Sequence, residues 1–375
     1  MLLILKKLIS YKSISPSDGG ALSYISDLLE KNGFNCYLQE FGGGESATKN
    51  LYAEKGAGEK NLCFAGHVDV VPAGDINMWR SDPFKMDESD GNIYGRGAVD
   101  MKGAVSAMVS AIVDYSSKHS NKVSILLTSD EEGSGEFGTK KMLEWLRGEG
   151  IKIDFAIIGE PTSSEMFGDT IKIGRRGSIN FKLKIEGKQG HVAYPELAIN
   201  PNEILVKILY DLMKWKIDDG NEFFQASNLE IVSIDVGNNV MNVIPQTASA
   251  KFNLRSNNIQ TSEAIVKNIE TIISKHTSNF LLEHSISAEA FLTPVSEYAY
   301  KFQELVHDIC GVKSEFSTSG GTSDARFIKD VCPLLEFGLL NKTAHQINEN
   351  CKIIDLQKLY SVYYGAIKSY YKTDY

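Results

Sequence analysis

Two histidines and a set of carboxylates stand at places where a folded chain would bring them together. His67 and Asp69 follow directly on the apolar run NLCFAG (61–66), and Asp130, Glu131 and Glu132 follow on KVSILLTS (122–129). Glu160 comes just after DFAIIG (154–159). Short apolar runs of this kind read as strands covered on both faces. In open α/β sheets, ligand groups gather outside the carboxyl ends of such strands. Asp100 closes the glycine-rich loop YGRGAVD ahead of a helix-compatible stretch, and His345 lies in NKTAH after the run LLEFG. One imidazole and one or two carboxylates per ion, with one carboxylate shared, is a coordination set for paired Zn²⁺. Two such ions, about 3.5–4 Å apart, clamp a bridging water and a carbonyl oxygen together. Each residue also has an ordinary use. His67 would serve as a hydrogen-bonded core histidine, DEE and Asp100 as acidic helix starts, Glu160-Pro161 as a turn and His345 as a surface residue. Their joint placement at one sheet edge favours the metal reading.

The elements that must position these groups follow two rhythms. Up to about residue 175 strand-like runs alternate with helix-like ones, GAVSAMVSAIVDY (103–115) between the first two strands and TKKMLEWLRGEG (139–150) after the second. That order predicts an α/β domain with a mostly parallel central sheet. From 177 to 289 the pattern becomes β-α-β-β-α-β, the arrangement of a small two-layer, ferredoxin-like α+β domain. After 290 the first rhythm returns. The expectation is a domain made of 1–176 and 290–375, interrupted by a domain at 177–289.

Bulk properties narrow the function. The 375 residues suffice for two domains. The net charge of -9 argues against nucleic acid as a partner while leaving room for a small anionic substrate. Cys36, Cys63, Cys310, Cys332 and Cys351 are scattered and odd in number, as expected of reduced thiols in the cytoplasm. MLLILKKLIS, broken by Lys6 and Lys7, reads as a first amphipathic helix and not as a signal peptide, and no later run is apolar enough for a membrane span.

The motifs HVDVVPAGD (67–75), GRGAVDMKG (95–103), TSDEEG (128–133) and GEPT (159–162) resemble those of the zinc-dependent aminoacylase and carboxypeptidase family. RRGS (175–178), GKQGHVAYP (187–195), NVIP (242–245), SGGTSDARF (319–327) and NKTAHQINE (341–349) narrow the likeness within it, so it covers nearly the whole chain. The resemblance implies a zinc-peptidase-like catalytic domain and an inserted domain used for dimerisation and as a lid, closing by hinges near 176 and 290. It implies two Zn²⁺ per subunit, with Co²⁺ accepted at one site. His67 and Glu160 would hold one ion, Glu132 and His345 the other, and Asp100 would bridge them. Asp69 would accept the second ring N–H of His67 and fix its tautomer. Glu131 would be the general base, and His191 would reach a neighbouring subunit's site to stabilise the tetrahedral oxyanion, which requires a homodimer.

The implied reaction is hydrolysis of N-succinyl-LL-2,6-diaminopimelate to succinate and LL-2,6-diaminopimelate, in lysine and diaminopimelate synthesis. Guanidinium forks suit the three carboxylates of that substrate. Arg175 and Arg255 are the stronger candidates beside Arg176, with Tyr194, Asn242, Thr322 and Asn341 as neutral partners and Gly321 in GGT (320–322) offering backbone N–H groups. The competing readings are a sister enzyme such as an acetylornithine deacetylase or a general aminoacylase, and a catalytically silent module that binds a metal or an amino acid. Glu131 and every implied ligand position are intact, which speaks against the silent module.

Overall fold

Leu62, Cys63, Phe64 and Ala65 are all buried, yet only Leu62 and Phe64 join the main hydrophobic core. Successive side chains of a strand face opposite ways, so both faces of the strand Ala57–His67 are covered. The computed structural model describes residues 1–372. This strand lies inside an eight-stranded sheet with the order Asn35–Phe41, Thr48–Lys55, Asn121–Thr128, Ala57–His67, Phe155–Ile158, Leu334–Glu336, Thr170–Lys172, Glu315–Ser317. Its four middle strands, from Asn121–Thr128 to Leu334–Glu336, run parallel to one another. Their carboxyl ends therefore open side by side along one edge. The outer strands Asn35–Phe41 and Thr48–Lys55 are antiparallel. The α/β architecture with a mostly parallel sheet is thus borne out.

The helix Lys102–Ser116 is buried along almost its whole length and packs on the helix Ile353–Tyr370. Its small residues Ala104, Ser106, Ala107 and Ala111 make that possible, since close approach of two backbones needs short side chains. Gly103, near the start of the helix, is closely packed as well. A Cβ there would stand 2.4 Å from the carbonyl oxygen of Ala98 and 2.8 Å from Leu339 Cδ1. On the other face the helix Thr139–Gly148 sets its Trp145 ring 5.5 Å from Tyr37. All five cysteines are free thiols. No helix among the described residues is long and apolar enough to cross a membrane.

The chain divides into two compact units. One consists of Met1–Ile173, Thr293–Ser317 and the residues from Ser323 onward; the other consists of Gly174–Leu292 with Thr318–Thr322. The short segment 318–322 keeps company with the second unit, a feature that strand and helix rhythm cannot reveal because it has neither.

The second unit has its own core. Strands Asn228–Asp235, Thr247–Arg255, Ser178–Glu186 and Phe280–Ala288 form an antiparallel sheet in that order. In chain order this is second, third, first, fourth. Ile179, Phe181, Leu183 and Ile185 face inward against the helices Pro201–Lys214 and Ser262–Ser274, while Asn180 and Lys182 face outward. The two helices start on side-chain caps, Asn200 and Thr261, each accepting a backbone N–H.

The fit at Gly103 makes a direct prediction. Gly103→Ala overpacks a site with no free volume, at a cost of ~1–3 kcal/mol, and should lower the thermal midpoint by roughly 3–10 °C. Scanning calorimetry checks this; an unchanged midpoint would mean that the helix can shift freely against Ala98.

Candidate metal centre

Three neighbouring parallel strands deliver the acidic groups. His67 is the last residue of the strand Ala57–His67, Glu131 and Glu132 follow Asn121–Thr128, and Glu160 follows Phe155–Ile158. Asp100 enters from the loop before the helix Lys102–Ser116. His345 enters from the loop after Leu334–Glu336, on a backbone turned to a φ of 62°, where side-chain-bearing residues are uncommon.

The side chains form two triads that share one member. In the first, His67 Nε2 lies 3.1 Å from Asp100 Oδ1 and 3.8 Å from Glu160 Oε1. In the second, His345 Nε2 lies 3.3 Å from Asp100 Oδ2 and 2.7 Å from Glu132 Oε1. Within each triad the candidate ligand atoms are all within 4.8 Å of one another. Asp100 therefore turns one oxygen to each histidine. Glu131 makes a further triad with His67 and Glu132.

This arrangement fits a pair of divalent cations. His67 Nδ1 lies 2.9 Å from the backbone carbonyl of Asp69, so in the neutral ring the proton belongs there, and Nε2, once deprotonated, offers its lone pair to a cation beside Asp100 and Glu160. The Asp69 carboxylate is farther from the ring, at 3.5 Å, and has other partners. It accepts the backbone N–H of Glu132 at 3.0 Å and of Glu131 at 3.4 Å. Asp69 thus orients His67 first through its main chain, and its side chain holds the DEE turn.

Electrostatics reflect the crowding of acids. Burial lowers the basicity of His67, but the carboxylates of Asp100 and Asp69 outweigh it and favour the imidazolium. Hydrogen bonding to Asp100 and then Glu132 pushes His345 up to about 10. Burial works against the ionised form of Asp100, but His345 and His67 hold it well below the usual carboxylate range. Glu131 moves the other way, since burial and then the neighbouring Glu160 favour its protonated form.

The remaining sequence candidates lie mostly in the second unit. His191 is exposed, on the short strand Gly190–His191 paired with Val243–Ile244, and its Nδ1 accepts the N–H of Ala193 at 3.0 Å. Tyr194 packs 5.7 Å from its ring, and the carbonyl of Asn242 accepts the N–H of Val192 at 3.2 Å, so His191, Tyr194 and Asn242 are neighbours. Arg175 is buried and donates to the carbonyl of Gly321 at 3.1 Å, which brings the arginine beside GGT and Thr322. Arg255 lies near enough to Arg176 that burial and then this second guanidinium weaken the hold of Arg176 on its charge. Asn341 belongs to the first unit, where its N–H donates to the carbonyl of Ser163 at 2.9 Å.

Three buried charges stand close to the centre. Arg96 and Glu349 form an ion pair of 2.8 Å that is almost wholly buried, and Lys102, fully buried, donates to the carbonyl of Tyr11 at 2.9 Å. Burial brings Lys102 down to about 7. All three lie in motifs quoted above, but a charged residue in a polar or glycine-rich loop ordinarily reads as solvated.

The protonation pattern predicts how cations bind. At pH 7 both imidazoles carry a proton that an arriving cation must displace, so loading should release about one proton per imidazole. Because both groups are shifted upward, apparent affinity should fall as the pH drops, about tenfold per unit for each displaced proton. Calorimetric zinc titration of chelator-treated protein, in buffers of different ionisation enthalpy, measures that release. Binding without proton release would contradict the geometry.

A sequence model for peptidase family M20/M25/M40 matches residues 63–369. Succinyl-diaminopimelate desuccinylase of Orientia tsutsugamushi strain Boryong is 56% identical over 367 residues, spanning 97% of this chain and 94% of that protein. The enzyme of the same name from Rickettsia bellii strain RML369-C is 52% identical over 371 residues, spanning 97% and 95%. Among solved structures, aminopeptidase PepT from Bacillus cereus superposes with a TM-score of 0.80 at 18% identity, covering 98% of this chain and 97% of that one, a likeness of fold. The match reaches from the first strand of the centre past its last histidine, and the chain accordingly belongs to peptidase family M20/M25/M40.

Proposed function

We propose that this chain hydrolyses N-succinyl-LL-2,6-diaminopimelate to succinate and LL-2,6-diaminopimelate, in the cytoplasm, as a step of lysine and diaminopimelate synthesis. The observation that carries the reading is Asp100, whose two oxygens face His67 and His345 at 3.1 and 3.3 Å, in a chain more than half identical to relatives bearing that enzyme's name. His67 and Glu160 would hold one zinc ion, Glu132 and His345 the second, and Asp100 both, with cobalt accepted at one position. When bound, such a pair would lower the pKa of a water to about 7 and polarise the amide carbonyl.

The residues do the rest. Glu131 takes the proton of the attacking water and passes it to the departing amine; a buried carboxyl that favours its protonated form is suited to both halves of that task. His191 Nδ1 is occupied as an acceptor, so the neutral ring carries its proton on Nε2 and can donate to a developing oxyanion. Arg255, beside Arg176, gains from a carboxylate placed against both guanidiniums. Arg175, Gly321, Thr322, Tyr194, Asn242 and Asn341 complete the proposed hold on the substrate's anionic ends.

We further propose a homodimer in which His191 serves the partner copy's site. Support comes from the surface of the second unit. Val206, Tyr210 and Met213 are exposed by 65%, 56% and 62% on one stripe of the helix Pro201–Lys214. Val232 and Ile234 are exposed on the sheet's edge strand Asn228–Asp235. Apolar stripes and open edges of this kind call for a partner.

Two experiments test these readings. Glu131→Ala should cut succinate release by ~10²–10⁴-fold while the protein still binds two zinc ions, since the base is not a ligand; retained turnover would remove Glu131 from its role, and faster turnover of acetylornithine by the wild type would reassign the substrate. For service in trans, Glu131→Ala and His191→Ala proteins, each inactive alone, should regain about a quarter of wild-type activity when mixed and allowed to exchange subunits. Half of the random dimers are then mixed, and each has one intact site of two. No recovery after demonstrated exchange would place His191 outside the partner's site.

A further inference from the structure

The two loops that carry Asp100 and His345 are irregular. The strands Asn92–Tyr94 and Asn350–Lys352 that flank them pair antiparallel, but this ladder ends several residues short of either ligand, and the two side chains must meet to within about an ångström. Beyond the end of that ladder, a buried ion pair joins the two loops. Glu349, fully buried, accepts the N–H of Val99 at 2.8 Å and of Asp100 at 3.1 Å through one oxygen. Through its other oxygen it accepts from Gly97 N–H at 2.9 Å and from Arg96 at 2.8 Å. The Arg96 guanidinium then reaches outward, donating to the carbonyls of Gln346 at 3.3 Å, His345 at 3.4 Å and Pro72 at 3.2 Å. It stacks 5.2 Å from the ring of Trp79, whose indole N–H is tied to the carbonyl of Ala73 at 2.9 Å. A single carboxylate thus grips the backbone of the shared ligand. A single guanidinium grips the backbone of His345 and of the loop that follows His67 and Asp69.

We propose that Arg96 and Glu349 are positioning residues that set the spacing of Asp100 and His345, and hence the strength of the second cation position. The inference rests on the two-cation reading above. Its asymmetry is specific. His67 is fixed by the strand it ends and by the Asp69 carbonyl, and Glu160 follows an adjacent strand, so the first position has supports of its own. His345 sits in the left-handed region of backbone space, is half exposed, and has its carbonyl held by Arg96. Loosening the pair should therefore weaken one position and spare the other.

Zinc titration of chelator-treated full-length protein by calorimetry, with metal counted after dialysis, provides the test, and Glu349→Gln and Arg96→Lys are the variants. Each keeps the approximate size of the side chain; the first loses the charge and one acceptor pattern, the second can no longer span several carbonyls. The wild type should take up two ions. In either variant the weaker ion should lose about tenfold or more in affinity, the range seen when partners of ligand side chains are removed, while the tighter ion changes by less than about threefold. If Glu349→Gln does not fold, Arg96→Lys decides alone. Leu359→Ala, a core change in the helix Ile353–Tyr370, supplies a destabilised comparison that should lower the thermal midpoint and leave the ratio of the two affinities unchanged. Variants that bind both ions with wild-type affinity, or a comparison protein that shows the same loss, would overturn the proposal. A wild type that binds fewer than two ions would instead overturn the reading beneath it.

Discussion

Negative charge collected in one place is what the rest of this molecule is built around. Asp69, Asp100, Glu131, Glu132 and Glu160 all reach the same sheet edge, Asp69 and Glu160 buried and the other three only partly exposed. Carboxylates so close repel one another, and burial removes the solvent that would screen them. The protein answers with positive groups of its own. His67 and His345 face the acids directly, and Lys102 lies behind the edge near enough to Asp69 and Glu349 for both to favour its charge. These do not fully compensate, as the protonated bias of Glu131 records. A site in this condition has a standing preference for small, highly charged cations, and that preference does not depend on any one distance.

The convergence follows from topology more than from any single contact. Three adjacent parallel strands end at the same level, so residues one to four positions past their ends are neighbours in space although nearly a hundred apart in sequence. The remaining two groups arrive on loops, and there the design changes. Where the flanking ladder stops short of the ligands, backbone N–H and carbonyl groups are fastened by buried side chains instead, which is costly in desolvation and justified only where geometry matters.

This division explains what could be read from residues alone. His67, Glu131, Glu132 and Glu160 were legible because apolar runs ending in acids and histidines advertise a strand edge, and Asp100 and His345 because their loops abut such elements. The strand order was not legible; nothing in the local pattern of Leu334–Glu336 tells that it pairs with Phe155–Ile158 almost two hundred residues earlier. Arg96 and Glu349 give no such signal, because their partners are mainly main-chain atoms, which carry no residue type to recognise. The Asp69 carboxylate stands 3.5 Å from the His67 ring and 3.0 Å from the Glu132 amide, and its hold on the DEE turn carries equally little signature. The segment Thr318–Thr322 belongs with the second unit through contacts that polar, glycine-rich residues do not announce.

The main segment of the second unit begins with Gly174–Arg175 and ends with Phe291–Leu292, and these two short strands pair antiparallel, Arg175 opposite Phe291. A stretch of more than a hundred residues thus leaves and returns through a doorway two strands wide. Once that stretch has folded, Ile173 and Thr293 are as near as neighbours across a hairpin, bound through a backbone hydrogen bond of 2.7 Å. The separated parts of the first unit then meet as if joined by a short loop, and the entropy of closing a long one no longer stands between them. Early folding of the insert would in this way act as an internal chaperone for assembly of the sheet that surrounds it in sequence.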